Sequence, residues 1–169
     1  VSGISTELWQ DLNADNRNPL FNRVVLGLYP PASTWKLAVA GIGLDLGAIT
    51  PDDKMPVPCT GSYVFGDRSY RCWDPDGHGF NNLAEAIGNS CDVYFYQLGL
   101  RIGLDPLLRR STEIGFSRKC GIDLPQESQG IFPSEREFWE RRFGYTPREG
   151  GILPLSIGQG PNSQTPLKI

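Results

Sequence analysis

Apolar residues form two nearly continuous stretches, and each is bounded by residues that stop a helix. The first follows Pro30-Pro31 and predicts a helix from about Ser33 to Leu46 that ends at Gly47. This helix is apolar nearly all round, so we expect it to be buried. The second stretch predicts a helix from Val93 to Ile102, stopped by Gly103. Its aromatic residues are typical of a core and a cleft wall rather than of a cofactor site.

Shorter elements are predicted from capping residues and local alternation. They are a helix over 5–12, an extended piece over 24–26, a hairpin over 63–71, a helix opened by the capping box 82–85 and stopped by Gly88, a helix over 105–114 and a helix opened by a second capping box at 134–137 and running to Phe143. Twenty glycines and fourteen prolines indicate short elements joined by many turns. The pattern as a whole predicts a mainly α domain with few strands.

The composition is that of one ordinary globular domain. Hydrophobic residues make up 39% and charged residues 21% of the chain, and the net charge is −3. This balance argues against a nucleic-acid partner, because phosphate binding needs a concentrated basic patch. The arginines between Arg136 and Arg148 alternate with glutamates, which indicates a solvated helix face. No stretch approaches the roughly 20 apolar residues of a membrane span and no signal peptide is visible, so we expect the chain itself to be soluble and without an anchor.

The segment from Tyr29 to Lys36 carries the strongest chemical signal. Its two prolines deliver Ser33 to the start of the apolar helix, where unpaired N–H groups and the helix dipole favour an oxyanion. Lys36 follows three residues later, so its amine and the Ser33 hydroxyl share one helix face. In a desolvated site such an amine can lose its proton near neutral pH and act as a base. The alternative is an N-cap serine followed by a surface lysine.

A second polar motif, Ser90-Cys91-Asp92, stands directly before the aromatic helix. Side chains in a loop at such a place can project into a cleft. Taken alone, Asp92 would be interpreted as the cap of the helix that follows. Taken together with Ser33 and Lys36, the motif favours a functional role.

Three of the four cysteines and the single histidine fall in one turn-rich stretch. Cys59, Cys72, His78 and Cys91 are separated by 12, 5 and 12 residues. Three thiolates and one imidazole match a closed tetrahedral zinc site, and a metal would hold a loop over about 56–91 that has few core residues of its own. A Cys59–Cys72 disulfide with a free Cys91 is the alternative.

Two observations favour structural zinc over the disulfide. His78 is flanked by glycines, which let the backbone approach a ligand closely, and a metal bound at Cys91 would fix both Ser90 and Asp92. Three aspartates are reserve ligands for this loop: Asp67, Asp74 and Asp76. Cys120 lies apart from the cluster and is interpreted as a simple thiol.

The two polar motifs closely resemble the first two active-site motifs of the penicillin-binding transpeptidases. The resemblance covers nearly the whole chain, includes segments 18–23, 121–125 and 158–160, and is to the elongation-type class B enzymes, the penicillin-binding protein 2 group. Ala32 and Trp35 stand where this family usually has Gly and Phe. The third family motif, Lys-Thr-Gly, is absent from the chain.

The resemblance implies that residues 1–169 are a partial transpeptidase domain, with motif one at 33–36 and motif two at 90–92. The expected fold is the helical core of the serine β-lactamase-like α/β fold with most of the sheet missing. The chain would then be a fragment of a parent protein anchored in the inner membrane, with this domain on the periplasmic side.

The same resemblance implies a peptidoglycan D,D-transpeptidase of cell-wall elongation that is also a β-lactam target. Ser33 would be the nucleophile and Lys36 the base, Ser90 would relay a proton, and Asp92 would orient the substrate or the lysine. The expected ligands are peptidoglycan stem peptides and β-lactams, and the expected partners of the parent are a polytopic glycan polymerase and shape-determining proteins. The absent third motif carries half of the oxyanion hole, so activity of the isolated chain does not follow.

Other functions are weaker. A non-catalytic zinc-stapled structural or interaction module derived from such a domain is the main alternative. A serine β-lactamase would need a deacylating base, and nothing in the sequence suggests one. A Ser-His-Asp hydrolase is disfavoured because the one histidine stands among the cysteines and no Gly-x-Ser-x-Gly motif occurs.

Overall fold

A computed structural model of the chain describes residues 3–124 and 126–169, whose regular structure consists of eight α-helices, two short 3-10 turns and one hairpin. The helices are α1 Thr6–Ala14, α2 Arg23–Leu26, α3 Trp35–Asp45, α4 Leu83–Gly88, α5 Asp92–Ile102, α6 Leu104–Ile114, α7 Glu137–Phe143 and α8 Ile152–Ser156. Strands β1 (Ser62–Phe65) and β2 (Arg68–Arg71) pair antiparallel, which confirms the predicted hairpin. The predicted mainly α fold class is confirmed.

Helix α5 is the centre of the core, and α3, α6 and α8 pack around it. Its residues from Val93 to Gly99 are all buried, including the three aromatic side chains. Close approach to α8 depends on Gly99, since a Cβ there would lie 1.8 Å from Ser156 Oγ. The buried face of α3 meets α5 at Gly43, where a Cβ would lie 3.0 Å from Leu98 Cδ1. Small residues thus let both helices come close to α5, which bears Asp92 at its first position.

Replacing Gly99 with alanine is expected to destabilise the chain by about 1–3 kcal/mol, because the added methyl group overpacks the contact between α5 and α8. Ser156 cannot move away without losing the hydrogen bond that its hydroxyl donates to the Ile152 carbonyl over 2.8 Å. Chemical denaturation measures the change. Gly41→Ala is the matched control: Gly41 is exposed in α3 with no atom within 4 Å of its would-be Cβ, so it should gain about 0.5–1 kcal/mol. Equal effects at the two glycines would contradict the packing described here.

The turn before α3 is held by a distant part of the chain. Tyr29 and Gln164 exchange backbone hydrogen bonds of 2.9 and 2.8 Å, and the Ala32 N–H donates to the Gly158 carbonyl over 3.0 Å. Behind the turn, Trp35 packs edge-on against Phe116, with ring centroids 4.5 Å apart. The start of α3 is therefore fixed from both sides.

Three local predictions were wrong in detail. Residues 24–26 were predicted to be extended because two of them are β-branched. They belong instead to the short helix α2, which is capped by the Asn22 side chain and buries Val25. The capping box at 134–137 does not form, and α7 starts only at Glu137 without a side-chain cap. Helix α6 begins at Leu104 with Gly103 as its N-cap, two residues before the cap predicted at Asp105. By contrast, the capping box of Asn82 and Glu85 is present as predicted.

Within residues 3–124 and 126–169, no helix is both long and apolar enough to cross a membrane. Of the segments that carried the family resemblance, Pro125 in segment 121–125 lies outside the described residues.

Candidate active site and metal centre

Ser33 lies in a single 3-10 turn, Ala32–Thr34, that leads directly into α3. Lys36 stands in the first turn of α3, and its side chain is buried to 2% exposure. The two side chains meet as the sequence predicted, with Lys36 Nζ 3.2 Å from Ser33 Oγ. The lysine does not point to solvent, so the interpretation of Ser33 as a plain helix cap beside a surface lysine does not hold.

The backbone at Ala32 is strained. Its φ of 49° lies in the left-handed region, which residues other than glycine rarely adopt. The Gly158 backbone packs against it so closely that a Cβ on Gly158 would lie 2.2 Å from the Ala32 carbonyl oxygen. Glycine, which the resemblance described above implies as the usual residue here, would adopt this φ without strain.

Changing Ala32 to glycine is expected to stabilise the chain by up to about 1 kcal/mol. Relief of the left-handed alanine is worth ~1–2 kcal/mol, and the greater freedom of glycine in the unfolded chain removes part of that gain. The midpoint of urea unfolding should rise at constant slope. A lower midpoint would show that the turn tolerates alanine without strain.

Ser90 and Asp92 complete the constellation around the lysine. Nζ of Lys36 contacts the Ser90 carbonyl at 2.7 Å, Ser90 Oγ at 3.0 Å and Asp92 Oδ1 at 2.6 Å. Ser90 itself has a positive φ of 49°, a conformation that persists only where the surroundings impose it. The structure thus brings the other three predicted catalytic side chains to the Lys36 amine.

Trp73 holds the other carboxylate oxygen of Asp92, a contact that the sequence did not predict. Its backbone N–H donates to Asp92 Oδ2 over 3.2 Å, and its indole N–H donates to the Asn89 carbonyl over 2.9 Å. The two oxygens of Asp92 therefore have separate partners, and the one that faces Lys36 cannot rotate freely. The available signal was the position of Trp73 directly after Cys72, in a loop predicted to bind a metal.

The four residues predicted to bind zinc lie together. The ligand atoms of Cys59, Cys72, His78 and Cys91 are all within 4.8 Å of one another. Nδ1 of His78 is 3.6 Å from both the Cys59 and the Cys72 sulfur atoms. All four cysteines are free thiols, so the alternative of a Cys59–Cys72 disulfide is not what the structure shows.

The surroundings of this cluster fit a metal cation. Nε2 of His78 is buried without a hydrogen bond, and its nearest carboxylate oxygen is Asp74 Oδ2 at 3.7 Å. A carboxylate on the far side of a ligating imidazole is the usual outer partner of a zinc-bound histidine, so Asp74 stands behind the histidine rather than as a ligand. Burial raises the pKa of the Cys91 thiol to about 12, and the neighbouring Cys59 adds to this rise. Adjacent thiolates need a cation between them to be stable there.

Two features place Cys120 outside the cluster. It is exposed, and it belongs to the segment after α6, where its backbone N–H and that of Gly121 donate to the Glu127 carboxylate. The sequence interpretation of Cys120 as a simple thiol agrees with this position.

The family model of the penicillin-binding protein transpeptidase domain matches residues 5–169. The chain belongs to this family. A curated relative, the peptidoglycan D,D-transpeptidase MrdA of Escherichia coli K12, is 36% identical over 169 residues; the match covers 100% of this chain and 26% of the relative. This transpeptidase chain therefore spans about a quarter of the length of the relatives that it matches.

Solved penicillin-binding proteins have the same fold over nearly the whole chain. PBP2 of Helicobacter pylori in complex with MreC is 39% identical with a TM-score of 0.86, over 98% of this chain and 31% of that protein. A peptidoglycan synthase complex described as coordinating polymerization and crosslinking is 31% identical with a TM-score of 0.84, over 99% of this chain and 28% of that one. The predicted fold, the helical part of a penicillin-binding transpeptidase domain, is confirmed.

Proposed function

We propose that this chain supplies the nucleophile and the base of a serine D,D-transpeptidase that acts on D-Ala-D-Ala stem peptides of peptidoglycan. The observation that carries the proposal is the buried Lys36 amine, which contacts Ser33, Ser90 and Asp92 at once. A buried lysine is costly unless its amine has partners and work. The family to which the chain belongs makes acyl transfer the chemistry that fits this arrangement.

The contacts around the amine support one direction of proton transfer. In the proposed step, the amine keeps its contacts with the two closest acceptors, Asp92 Oδ1 at 2.6 Å and the Ser90 carbonyl at 2.7 Å. Its lone pair then faces Ser33 Oγ at 3.2 Å and accepts the hydroxyl proton as the oxygen attacks the substrate carbonyl. The ammonium that forms is stabilised by the Asp92 carboxylate.

Ser90 is placed to return the proton. Its hydroxyl is 3.0 Å from Lys36 Nζ and can pass a proton to the leaving D-Ala amine as the peptide bond breaks. The product is an ester between Ser33 and the shortened stem, which an acceptor amine opens to form the crosslink. A β-lactam follows the same first step, and its ester is hydrolysed slowly because the released ring nitrogen stays tethered to the acyl group.

A structural zinc ion is the second part of the proposal. Cys59, Cys72, His78 and Cys91 would hold it, and the ion would supply charge compensation for the thiolates rather than any step of the reaction. Cys91 lies between Ser90 and Asp92, while Cys72 precedes Trp73, whose N–H binds Asp92. The metal loop therefore supports the catalytic motif at two points.

We further propose that the parent protein works in cell-wall elongation at the periplasmic face of the inner membrane, beside a glycan polymerase and shape-determining proteins. The related PBP2 of Helicobacter pylori in complex with MreC and the related peptidoglycan synthase complex support this assignment. Co-purification tests it: elongation proteins should accompany the parent, and exclusive recovery of division proteins would contradict it. None of the comparisons supports a non-catalytic zinc module.

The activity is tested in a chimaera in which this chain replaces the matching segment of the Escherichia coli relative, which provides the third family motif. The chimaera should exchange the terminal D-Ala of a stem pentapeptide for a labelled D-amino acid, as detected by mass spectrometry. The Ser33→Ala chimaera should not, whereas the Ser134→Ala control, at an exposed serine, should match the unmodified chimaera. A folded chimaera that is inactive beside an active relative would reject the proposed function.

A further inference from the structure

A small basic cavity lies beside the end of α6. Its volume is about 280 Å³, just below the range of sites that hold drug-sized ligands. One wall is charged and is formed by Arg118, Lys119 and Lys168, while Ile114 and Phe116 form an apolar wall. None of the candidate catalytic residues or zinc ligands belongs to the lining. The cavity is therefore a separate place in the fold, and its size suits a small ligand.

The three cations of the lining have no acidic counterpart in it. No aspartate or glutamate lines the cavity, and within residues 3–124 and 126–169 none of the three cations has a carboxylate oxygen within 4.0 Å. Glu127 contacts the same segment, but its carboxylate accepts the backbone N–H groups of Cys120 and Gly121. In a chain of net charge −3, this concentration of positive charge favours an anionic ligand.

Two of the cations are held in place by the fold. The Arg118 guanidinium lies against Gly115, where a Cβ would be 3.0 Å from its Nε. Nζ of Lys168 donates to the carbonyls of Arg118 and Gln129 over 2.5 and 2.7 Å, which leaves one ammonium hydrogen for a ligand. Burial lowers the pKa of Lys168, so a bound anion would stabilise its charged form. Because these groups are already positioned, an anion would bind at a small cost in side-chain entropy.

We propose that this cavity binds the phosphate group of a small ligand, with Arg118, Lys119 and the remaining hydrogen of Lys168 as donors. A phosphate monoester carries about 1.5 to 2 negative charges near neutral pH, whereas a carboxylate carries one, so phosphate compensates the three cations better. Its oxygens can accept from a guanidinium and from ammonium groups at the same time. The apolar wall fits a carbon chain attached to the phosphate. This site does not depend on the proposed transpeptidase reaction.

Occupation of the cavity can be followed at Cys120, which belongs to the lining and is exposed, whereas the other three cysteines are buried. Labelling of Cys120 by N-ethylmaleimide is measured by mass spectrometry of its peptide, in the chimaera with the Escherichia coli relative. Inorganic diphosphate is the soluble probe. At about ten times its Kd it should slow the labelling about tenfold, since only the unoccupied fraction reacts. Sodium chloride at the same ionic strength is the reference, because it screens charges without filling the site.

The variant that tests the donors combines Arg118→Gln with Lys119→Gln. It should raise the diphosphate concentration that halves the labelling rate about tenfold, because two exposed charged contacts are lost. The matched control combines Lys54→Gln with Arg109→Gln, which removes the same charge from two exposed residues outside the lining. This control should leave the concentration unchanged. Each rate is divided by the rate without diphosphate, which cancels any change in the reactivity of the thiol itself.

Vesicles of phosphatidic acid in neutral phosphatidylcholine are the lipid probe. Protection of Cys120 by diphosphate assigns the site to a soluble phosphate compound, and protection by these vesicles alone assigns it to a lipid headgroup. Four results would overturn the proposal: no protection by either probe, equal protection by acetate at the same ionic strength, equal behaviour of the two double variants, or a Cys120 that is not labelled at all in the chimaera.

Discussion

Lys36→Met is expected to slow acylation of Ser33 by a penicillin by about 10²- to 10⁴-fold, the range typical of a lost general base. Methionine preserves most of the apolar stem of lysine but cannot accept the hydroxyl proton. Among the side chains of residues 3–124 and 126–169, the Lys36 amine is the one at hydrogen-bond distance from Ser33 Oγ, at 3.2 Å. Stopped-flow measurement of the acylation rate constant, in the chimaera with the Escherichia coli relative, gives the change.

The control for this prediction is Lys54→Met, which removes a positive charge from an exposed position and should leave the rate unchanged. The substitution also removes the Lys36 contact of Asp92, which keeps only its hydrogen bond from the Trp73 N–H and could unfold the site. Circular dichroism therefore checks that a slow variant is still folded. A folded Lys36→Met variant that acylates at the normal rate would show that Lys36 is structural and that another group activates Ser33.

Zinc is expected at one ion per chain by elemental analysis, and Cys72→Ala or His78→Ala should each reduce it to a trace. The zinc content should fall because three remaining ligands do not close a tetrahedral site. Stability should fall as well, because the binding free energy of a structural zinc ion, on the order of 10 kcal/mol in small domains, is linked to folding. Chelation should therefore lower the melting temperature of the unmodified chain. The melting temperatures of the two variants should be low already and insensitive to the chelator.

Cys120→Ala is the matched control for the metal prediction, because Cys120 is the one cysteine outside the cluster. It should keep the full zinc content. Cys91→Ala should in addition disorder the Ser90 loop, as amide hydrogen exchange would detect, while α3 stays protected. A metal-free preparation that contains a Cys59–Cys72 disulfide by mass spectrometry would reject the zinc site.

The sequence predicted best those parts of the fold in which local signals and burial agree. Helix α3, with apolar residues almost all round, and the capping box of Asn82 both appear where expected. Residues 24–26 and the start of α7 were mispredicted because their conformations depend on the rest of the chain. Valine generally prefers strands, but the one sheet among the described residues is the hairpin β1–β2, which offers Val24 and Val25 no strand to pair with.

The candidate site was predictable as chemistry but not as geometry. The spacing of Ser33 and Lys36 predicted that they share one helix face. The family resemblance then implied catalytic roles for Ser90 and Asp92. No local pattern could show that the Trp73 N–H holds Asp92, or that Gly158 packs on Ala32, because these contacts join segments far apart in the chain.

The most direct test of the proposed reaction is the position of a covalent penicillin adduct. The chimaera with the Escherichia coli relative, which supplies the third family motif, is incubated with a fluorescent penicillin, digested and sequenced by mass spectrometry. The account predicts one adduct, on Ser33, in the peptide that contains Tyr29 to Trp35, with no adduct in the Ser33→Ala variant. An adduct on Ser90 or on any other residue, with Ser33 unmodified, would contradict it.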